Sequence, residues 1–129
     1  MKFLLVDPSA TMRRVLKNAL TAVECDEIIE AADGRQALER CDASVDVAIT
    51  EWSLPVLNGI ELVKRWRANP ETSKVRVLML STRNSRADVL EAVQAGVQHY
   101  LLKPFTAENL RLKLEDLVPP AADDQAKAA

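Results

Sequence analysis

Residues 75–104, VRVLMLSTRNSRADVLEAVQAGVQHYLLKP, contain two apolar runs separated by a stretch of helical periodicity. The first run, residues 75–80, is almost entirely apolar, as expected of a strand whose sheet is covered by helices on both faces. In the helical stretch apolar residues recur three and four positions apart, and Gly96 is placed to end the helix in a left-handed conformation. The second run, residues 99–102, follows at once. The segment therefore predicts two parallel strands joined by a helix.

The same alternation occurs five times along the chain, which is typical of an α/β fold with a parallel sheet. We predict strands at residues 3–6, 27–30, 45–50, 75–80 and 99–102. The first and fourth strands are the most apolar and are predicted to be central. Stripes of apolar residues predict the buried faces of the helices, and those of the first and fourth helices are Met12, Val15, Leu16, Ala19, Leu20 and Val23, then Val89, Ala92 and Val93.

The size and composition of the chain predict one globular domain. It has 129 residues and a mass of 14.3 kDa, with 48% apolar and 28% charged residues, which argues against a disordered or membrane-spanning chain. We expect a stand-alone domain at residues 1–118 and a tail of small and polar residues at 119–129. The net charge is −2 and no basic stripe stands out, so nucleic acid is a poor candidate for a partner.

The two cysteines give an expectation about location. Cys25 and Cys41 are well separated and form neither a CxxC pair nor a cluster with histidines, which argues against a zinc site or a redox motif. We therefore expect two reduced thiols in or near the core, and a cytoplasmic protein.

Polar residues stand just after four of the five predicted strands. They are Asp7, Glu51, Ser81 and Lys103. In an open parallel sheet the carboxyl ends of the strands line the crevice in which ligands bind. Two carboxylates, a hydroxyl and an ammonium are thus predicted to converge on one edge of the sheet as a functional site.

Several short motifs accompany these residues. They are Val6-Asp7, Thr11-Met12-Arg13-Arg14, Glu51-Trp52-Ser53-Leu54-Pro55, Asn58-Gly59, Val77-Leu78-Met79-Leu80-Ser81-Thr82 and Tyr100-Leu101-Leu102-Lys103-Pro104-Phe105. In combination they resemble the receiver domains of two-component response regulators, of the CheY-like type. The resemblance extends from the first strand to the end of the fifth helix.

This resemblance implies a flavodoxin-like, doubly wound (βα)5 sheet with strand order 2-1-3-4-5. In the family, an aspartate ending the third strand accepts a phosphoryl group from a histidine kinase, and two acidic residues ending the first strand bind Mg²⁺. Carried over to this chain, Ser81 is the switch hydroxyl, Lys103 the phosphate-binding lysine and Tyr100 the aromatic switch that turns inward. Pro104 is expected to follow a cis peptide bond.

Two positions depart from the family pattern. Glu51 stands at the position of the phosphoacceptor aspartate, and its carboxylate lies one methylene, about 1.5 Å, further from the backbone. Because in-line transfer is sensitive to displacements of about 1 Å, we expect phosphorylation to be lost. Pro8 replaces the second acidic residue, which leaves Asp7, Glu51 and the backbone carbonyl of Ser53 as metal ligands, so we expect Mg²⁺ binding to be weak or absent and no cofactor to be required. A second explanation for Pro8 is that it starts the first helix.

The longer side chain of Glu51 predicts a direct ion pair with Lys103. Two consequences are open. The carboxylate mimics a phosphoryl oxygen and presets the activated arrangement, or Glu51 and Lys103 only neutralise each other's charge in an inert scaffold. Trp52, next to Glu51, is expected to be an exposed aromatic near the site.

The resemblance also implies a partner surface on the fourth helix, fifth strand and fifth helix. Its predicted residues are Arg83, Arg86, Leu90, Tyr100, Arg111 and Leu112. This basic surface with exposed leucines suits an acidic amphipathic helix or a second copy of the chain. The partner that the resemblance implies is a histidine kinase or a chemotaxis or motor component.

The leading hypothesis is a degenerate receiver that signals by protein binding. A working receiver that accepts phosphate on Asp7 or Glu51 is the alternative within the same class. From other classes, the alternatives are a flavodoxin-like ligand-binding protein or enzyme, and an adaptor that binds a cyclic dinucleotide through Arg83 and Arg86. No glycine-rich loop or nucleophile motif supports an enzyme.

Overall fold

The computed structural model describes residues 1–118, so the predicted tail at 119–129 lies outside the described residues. One parallel sheet of five strands forms the centre of the domain, in the order β2-β1-β3-β4-β5. The strands are β1 Lys2–Val6, β2 Glu27–Ala31, β3 Val47–Glu51, β4 Arg76–Ser81 and β5 His99–Leu102. The predicted fold class and strand order are confirmed, and β1 and β4 are central strands as expected.

Five α-helices connect and follow the strands. They are α1 Ala10–Ala19, which continues into a 3-10 turn at Leu20–Ala22, then α2 Gly34–Arg40, α3 Gly59–Ala68, α4 Arg86–Ala95 and α5 Ala107–Leu117. Each begins after a polar residue whose side chain accepts the backbone N–H three residues further on, which satisfies a donor that the helix leaves free. These residues are Ser9, Asp33, Asn58, Ser85 and Thr106. Pro8 lies outside α1, so starting the helix is the role of Ser9.

The helices cover both faces of the sheet, and each face has its own apolar core. One core lies under α2, α3 and α4 and contains Trp66 and Leu62, and the other lies under α1 and α5 and contains Phe3 and Leu16. The predicted stripes are wider than the buried ones: Val15 is 41% exposed and Val93 is 56% exposed. Each of these helices contacts the sheet along a narrow line, and α4 buries mainly its alanines. The expectation that both valines are core residues was wrong.

The loop before α3 passes very close to the start of α2. A Cβ atom on Gly34 would lie 2.1 Å from the carbonyl oxygen of Leu57, so this contact requires glycine. Within the loop, Leu57 N–H donates to the Pro55 carbonyl at 2.8 Å across a three-residue turn centred on Val56. Val56 has a φ of 71° and is 78% exposed. A turn of this kind is strained for a β-branched residue.

Both cysteines of the chain are free thiols, as expected. Cys41 is buried, and this burial, followed by the charge of Asp42, raises the pKa of its thiol to about 11. Cys25 is half-buried against the core under α1 and α5. Within residues 1–118, none of the helices combines the length and apolar character needed to cross a membrane.

Candidate functional site

Three charged side chains from three strand ends meet at one edge of the sheet. Asp7 follows β1, Glu51 is the last residue of β3, and Lys103 follows β5. The ammonium of Lys103 lies 2.5 Å from Oε2 of Glu51 and 3.2 Å from Oδ2 of Asp7. Both acidic residues are buried, at 3% exposure for Asp7 and 8% for Glu51. The predicted Glu51–Lys103 pair is present, and Asp7 joins it to make a three-residue cluster.

The second oxygen of each carboxylate is also occupied. Oδ1 of Asp7 accepts the backbone N–H of Ser9 at 2.8 Å. Oε1 of Glu51 accepts the N–H groups of Trp52 and Ser53 at 3.0 and 3.2 Å. The extra methylene of glutamate therefore lets its carboxylate reach back to the backbone on one side and forward to Lys103 on the other. All four carboxylate oxygens of the cluster have a donor partner.

Lys103 remains charged in this setting. Burial of the ammonium disfavours the charged form, but the hydrogen bond to Glu51 and the charges of Asp7 and Glu51 outweigh it. The net effect raises the pKa of Lys103 above its ordinary value. The cluster thus holds one cation between two anions.

The donor set does not fit Mg²⁺, which requires near-octahedral coordination by oxygen. Pro8 is exposed and has no side-chain oxygen, and the Lys103 ammonium occupies one oxygen of each carboxylate. The backbone of Ser53, whose carbonyl was the third predicted ligand, donates its N–H to the Glu51 carboxylate. Among residues 1–118, no group of three or more His, Cys, Asp or Glu side chains is arranged to hold a metal ion.

The predicted switch residues lie beside this cluster and are linked through Arg83. Ser81, at the end of β4, is buried, and its hydroxyl oxygen accepts the backbone N–H of Arg83 at 2.9 Å. The hydroxyl of Tyr100 donates to the Arg83 carbonyl at 2.8 Å. Tyr100 is half-buried against the core under α2, α3 and α4, and burial raises the pKa of its hydroxyl. Its ring is therefore held inward.

Trp52 is buried at 4% exposure, so the expectation of an exposed aromatic was wrong. Its ring meets that of Tyr100 edge-on, with centroids 6.4 Å apart and an interplanar angle of 79°. The guanidinium of Arg83 covers the ring, 4.7 Å from its centroid, and also lies 3.5 Å from Asp88. Trp52 is buried here because Tyr100 from β5 and Arg83 from the loop after β4 pack against its ring.

The sequence predicts Arg83 as part of the partner surface, or as a ligand of a cyclic dinucleotide, but not its contacts with Trp52 and Tyr100. Trp52 and Arg83 come from the ends of neighbouring strands β3 and β4, but they are 31 positions apart in the chain. The sequence offers one signal, the position of Arg83 two residues after a strand end, and this signal does not indicate an aromatic partner.

The predicted partner surface exposes apolar side chains, as expected. Leu90 on α4 is 52% exposed and Leu112 on α5 is 47% exposed. Val93 and Leu102, which were not predicted for this surface, add to the exposed apolar area. Arg111 is bridged to Glu108 and Glu115 on its own helix, so its charge is partly neutralised.

The lysine of the cluster precedes a cis peptide bond, Lys103–Pro104, as the resemblance led us to expect. Residues 3–115 match the response regulator receiver domain. The chain belongs to this receiver family. Receiver domains form a signalling family and not an enzyme family, and they generally bind Mg²⁺ at their acidic site.

Similar receivers come from several bacteria. The chain is 43% identical over 117 residues to chemotaxis protein CheY1 of Helicobacter pylori, covering 89% of this chain and 94% of that protein. It is 42% identical over 120 residues to a chemotaxis protein CheY homolog of Campylobacter jejuni, covering 92% of each. The structure of the chemotaxis response regulator CheY4 of Vibrio cholerae superposes with a TM-score of 0.78 at 32% identity, over 91% of this chain and 98% of that one.

Proposed function

We propose that this receiver transmits its signal by binding another protein and has lost phosphorylation at the acceptor position. The observation that carries the proposal is the Lys103 ammonium placed between the carboxylates of Asp7 and Glu51. In a phosphorylated receiver the lysine would contact the phosphoryl group. Here the protein's own carboxylate supplies the anion that the lysine contacts.

Two features oppose phosphoryl transfer to Glu51. Both of its oxygens are engaged, one by two backbone N–H groups and one by Lys103, so an attacking lone pair must break a charge-assisted hydrogen bond. The donor set also lacks the geometry for Mg²⁺, which the family uses to position the phosphate. Because transfer depends on near-attack placement of the reacting atoms, these losses reinforce each other.

The Glu51–Lys103 pair either presets the activated arrangement or only neutralises charge in an inert scaffold, and the first alternative is the better supported. Lys103 is held by an anion, and Tyr100 is half-buried with its hydroxyl bonded to Arg83. In the receiver family the aromatic switch turns inward, so an inward Tyr100 beside the Glu51–Lys103 pair favours the preset arrangement over an inert scaffold. We therefore propose that Glu51 acts as a constitutive substitute for the phosphoryl group, with less charge than a phosphoryl group has.

The proposed output surface is the face formed by α4, β5 and α5. Its exposed leucines and Arg86 suit an acidic amphipathic helix, which would place apolar side chains on Leu90 and Leu112 and carboxylates near the arginine. Since similar proteins are named chemotaxis proteins, we propose a partner in a chemotaxis-type pathway: a motor component or a histidine kinase. A second copy of the chain on the same face is the alternative. We propose a cytoplasmic location and no catalytic activity.

Intact-mass measurement with acetyl phosphate and Mg²⁺ tests the loss of phosphorylation. We expect no added phosphoryl group on the natural chain over the time in which the double variant Pro8→Asp, Glu51→Asp becomes labelled. The double variant is the matched control, since it shortens the acceptor by one methylene and supplies a second acidic residue. A phosphoryl group mapped to Asp7 or Glu51 of the natural chain would mean that it is a working receiver.

A further inference from the structure

Arg83 contacts four separate parts of the switch region through three different groups. Its backbone N–H binds the Ser81 hydroxyl, and its carbonyl binds the Tyr100 hydroxyl. Its guanidinium covers Trp52 and pairs with Asp88 in the first turn of α4. We call these contacts among Arg83, Trp52, Tyr100, Ser81 and Asp88 the Arg83 bridge.

The side-chain half of the bridge positions the backbone half. The carbonyl that holds Tyr100 belongs to a loop between β4 and α4. The guanidinium ties that loop to Trp52, at the end of β3, and to Asp88, at the start of α4. Each of these two contacts alone contributes only a modest free energy, because the Arg83 side chain is 50% exposed. Acting through one side chain, they restrain the loop together.

We propose that the Arg83 side chain is an internal conformational lock that keeps Tyr100 in the inward position without a phosphoryl group or metal ion. The biological meaning of this inward state rests on the proposed function, but the lock itself is a property of the free protein. It assigns Arg83 a positioning role in place of the partner-binding role expected from the sequence. Of the two arginines that flank the start of α4, Arg86 then remains the one that faces outward.

Fluorotyrosine labelling provides a direct test, because Tyr100 is the single tyrosine of the chain. The natural protein should give one dominant ¹⁹F resonance from the inward ring. In Arg83→Gln, which keeps the backbone N–H and carbonyl of residue 83 but removes the cation, the ratio of outward to inward ring should rise about fivefold. A fivefold change corresponds to about 1 kcal/mol, the size expected for an exposed cation–π contact.

Acrylamide quenching of Trp52 provides a second readout on the same samples. Trp52 loses its cover in Arg83→Gln and should become several times more accessible to the quencher, whereas Trp66 is 1% exposed and remains protected. Trp52→Phe identifies the contribution of Trp52 to the signal. Arg86→Gln is the matched control, since it removes an exposed arginine three residues further on, and it should leave both readouts at their natural values.

Asp88→Asn is the second variant and decides the test if Arg83→Gln does not fold. It removes only the ion pair, so we expect a change of about twofold in the same direction. The proposal is overturned if the ¹⁹F spectra and quenching of the Arg83 or Asp88 variants match those of Arg86→Gln. All measurements are made in EDTA without a phosphodonor. Arg83 and Asp88 variants that behave like Arg86→Gln therefore contradict this inference alone, while phosphorylation of the natural chain contradicts the proposed function alone.

Discussion

Replacing Lys103 with methionine removes the cation of the acidic cluster and keeps much of the side-chain volume. The Lys103 side chain is 19% exposed, and the side chains of the two carboxylates that it contacts are 4% exposed for Asp7 and 11% for Glu51. The variant therefore leaves two buried anions facing each other without a counter-charge. Removing one partner of a buried ion pair typically costs about 3–5 kcal/mol. For a domain of this size we expect the melting temperature to fall by roughly 10–20 °C.

The stability lost in Lys103→Met should depend on pH in a defined direction. Burial lowers the pKa of Lys103, but the hydrogen bond to Glu51 and the charges of Asp7 and Glu51 raise it by more. The pKa in the folded state is therefore above its ordinary value. A group with a raised folded pKa contributes stability that is fully present below its unfolded pKa and disappears as pH rises through the folded value. The stability difference between the natural chain and the variant should thus be constant near neutral pH and shrink above pH 10.5.

Urea unfolding followed by circular dichroism measures these differences, and Lys64→Met is the matched control. Lys64 lies 3.6 Å from Glu61 on α3, with both side chains half exposed, so its loss should cost less than about 1 kcal/mol. Adding Glu51→Gln to Lys103→Met removes one uncompensated charge and should recover part of the stability. If Lys103→Met costs no more than Lys64→Met, the cluster does not hold Lys103 as we describe.

Two further substitutions test the loop before α3. Gly34→Ala places a Cβ atom 2.1 Å from the Leu57 carbonyl oxygen, and the required backbone shift should cost about 1–3 kcal/mol in urea unfolding. Val56→Gly relieves a φ of 71° at an exposed residue, and we expect a gain of about 0.5–1 kcal/mol after the entropy cost of glycine is subtracted. An unchanged midpoint for the first variant, or a lowered one for the second, would contradict the described geometry of this loop.

Much of the site was predictable because it depends on strand ends. Apolar runs locate parallel strands, and in such a sheet the residues after the strands converge on one edge whatever the loops do. Asp7, Glu51, Ser81 and Lys103 were found in this way, and the reach of a glutamate predicted its pairing with Lys103. The second ion pair of Lys103, with Asp7, was not predicted, because it depends on how close the loop after β1 lies to the loop after β5.

The amino-acid sequence by itself determined the alternation of elements, the strands that are central, and the carboxylate of Glu51 at the end of the third strand. These features are local, since they follow from periodicity and from the chemistry of single side chains. Only the tertiary structure decided that Trp52 is buried, that Val15 and Val93 are exposed, and that the Arg83 guanidinium lies over the Trp52 ring. Each of these outcomes depends on which side chain from a distant part of the chain fills the adjacent space, and no local pattern contains that information.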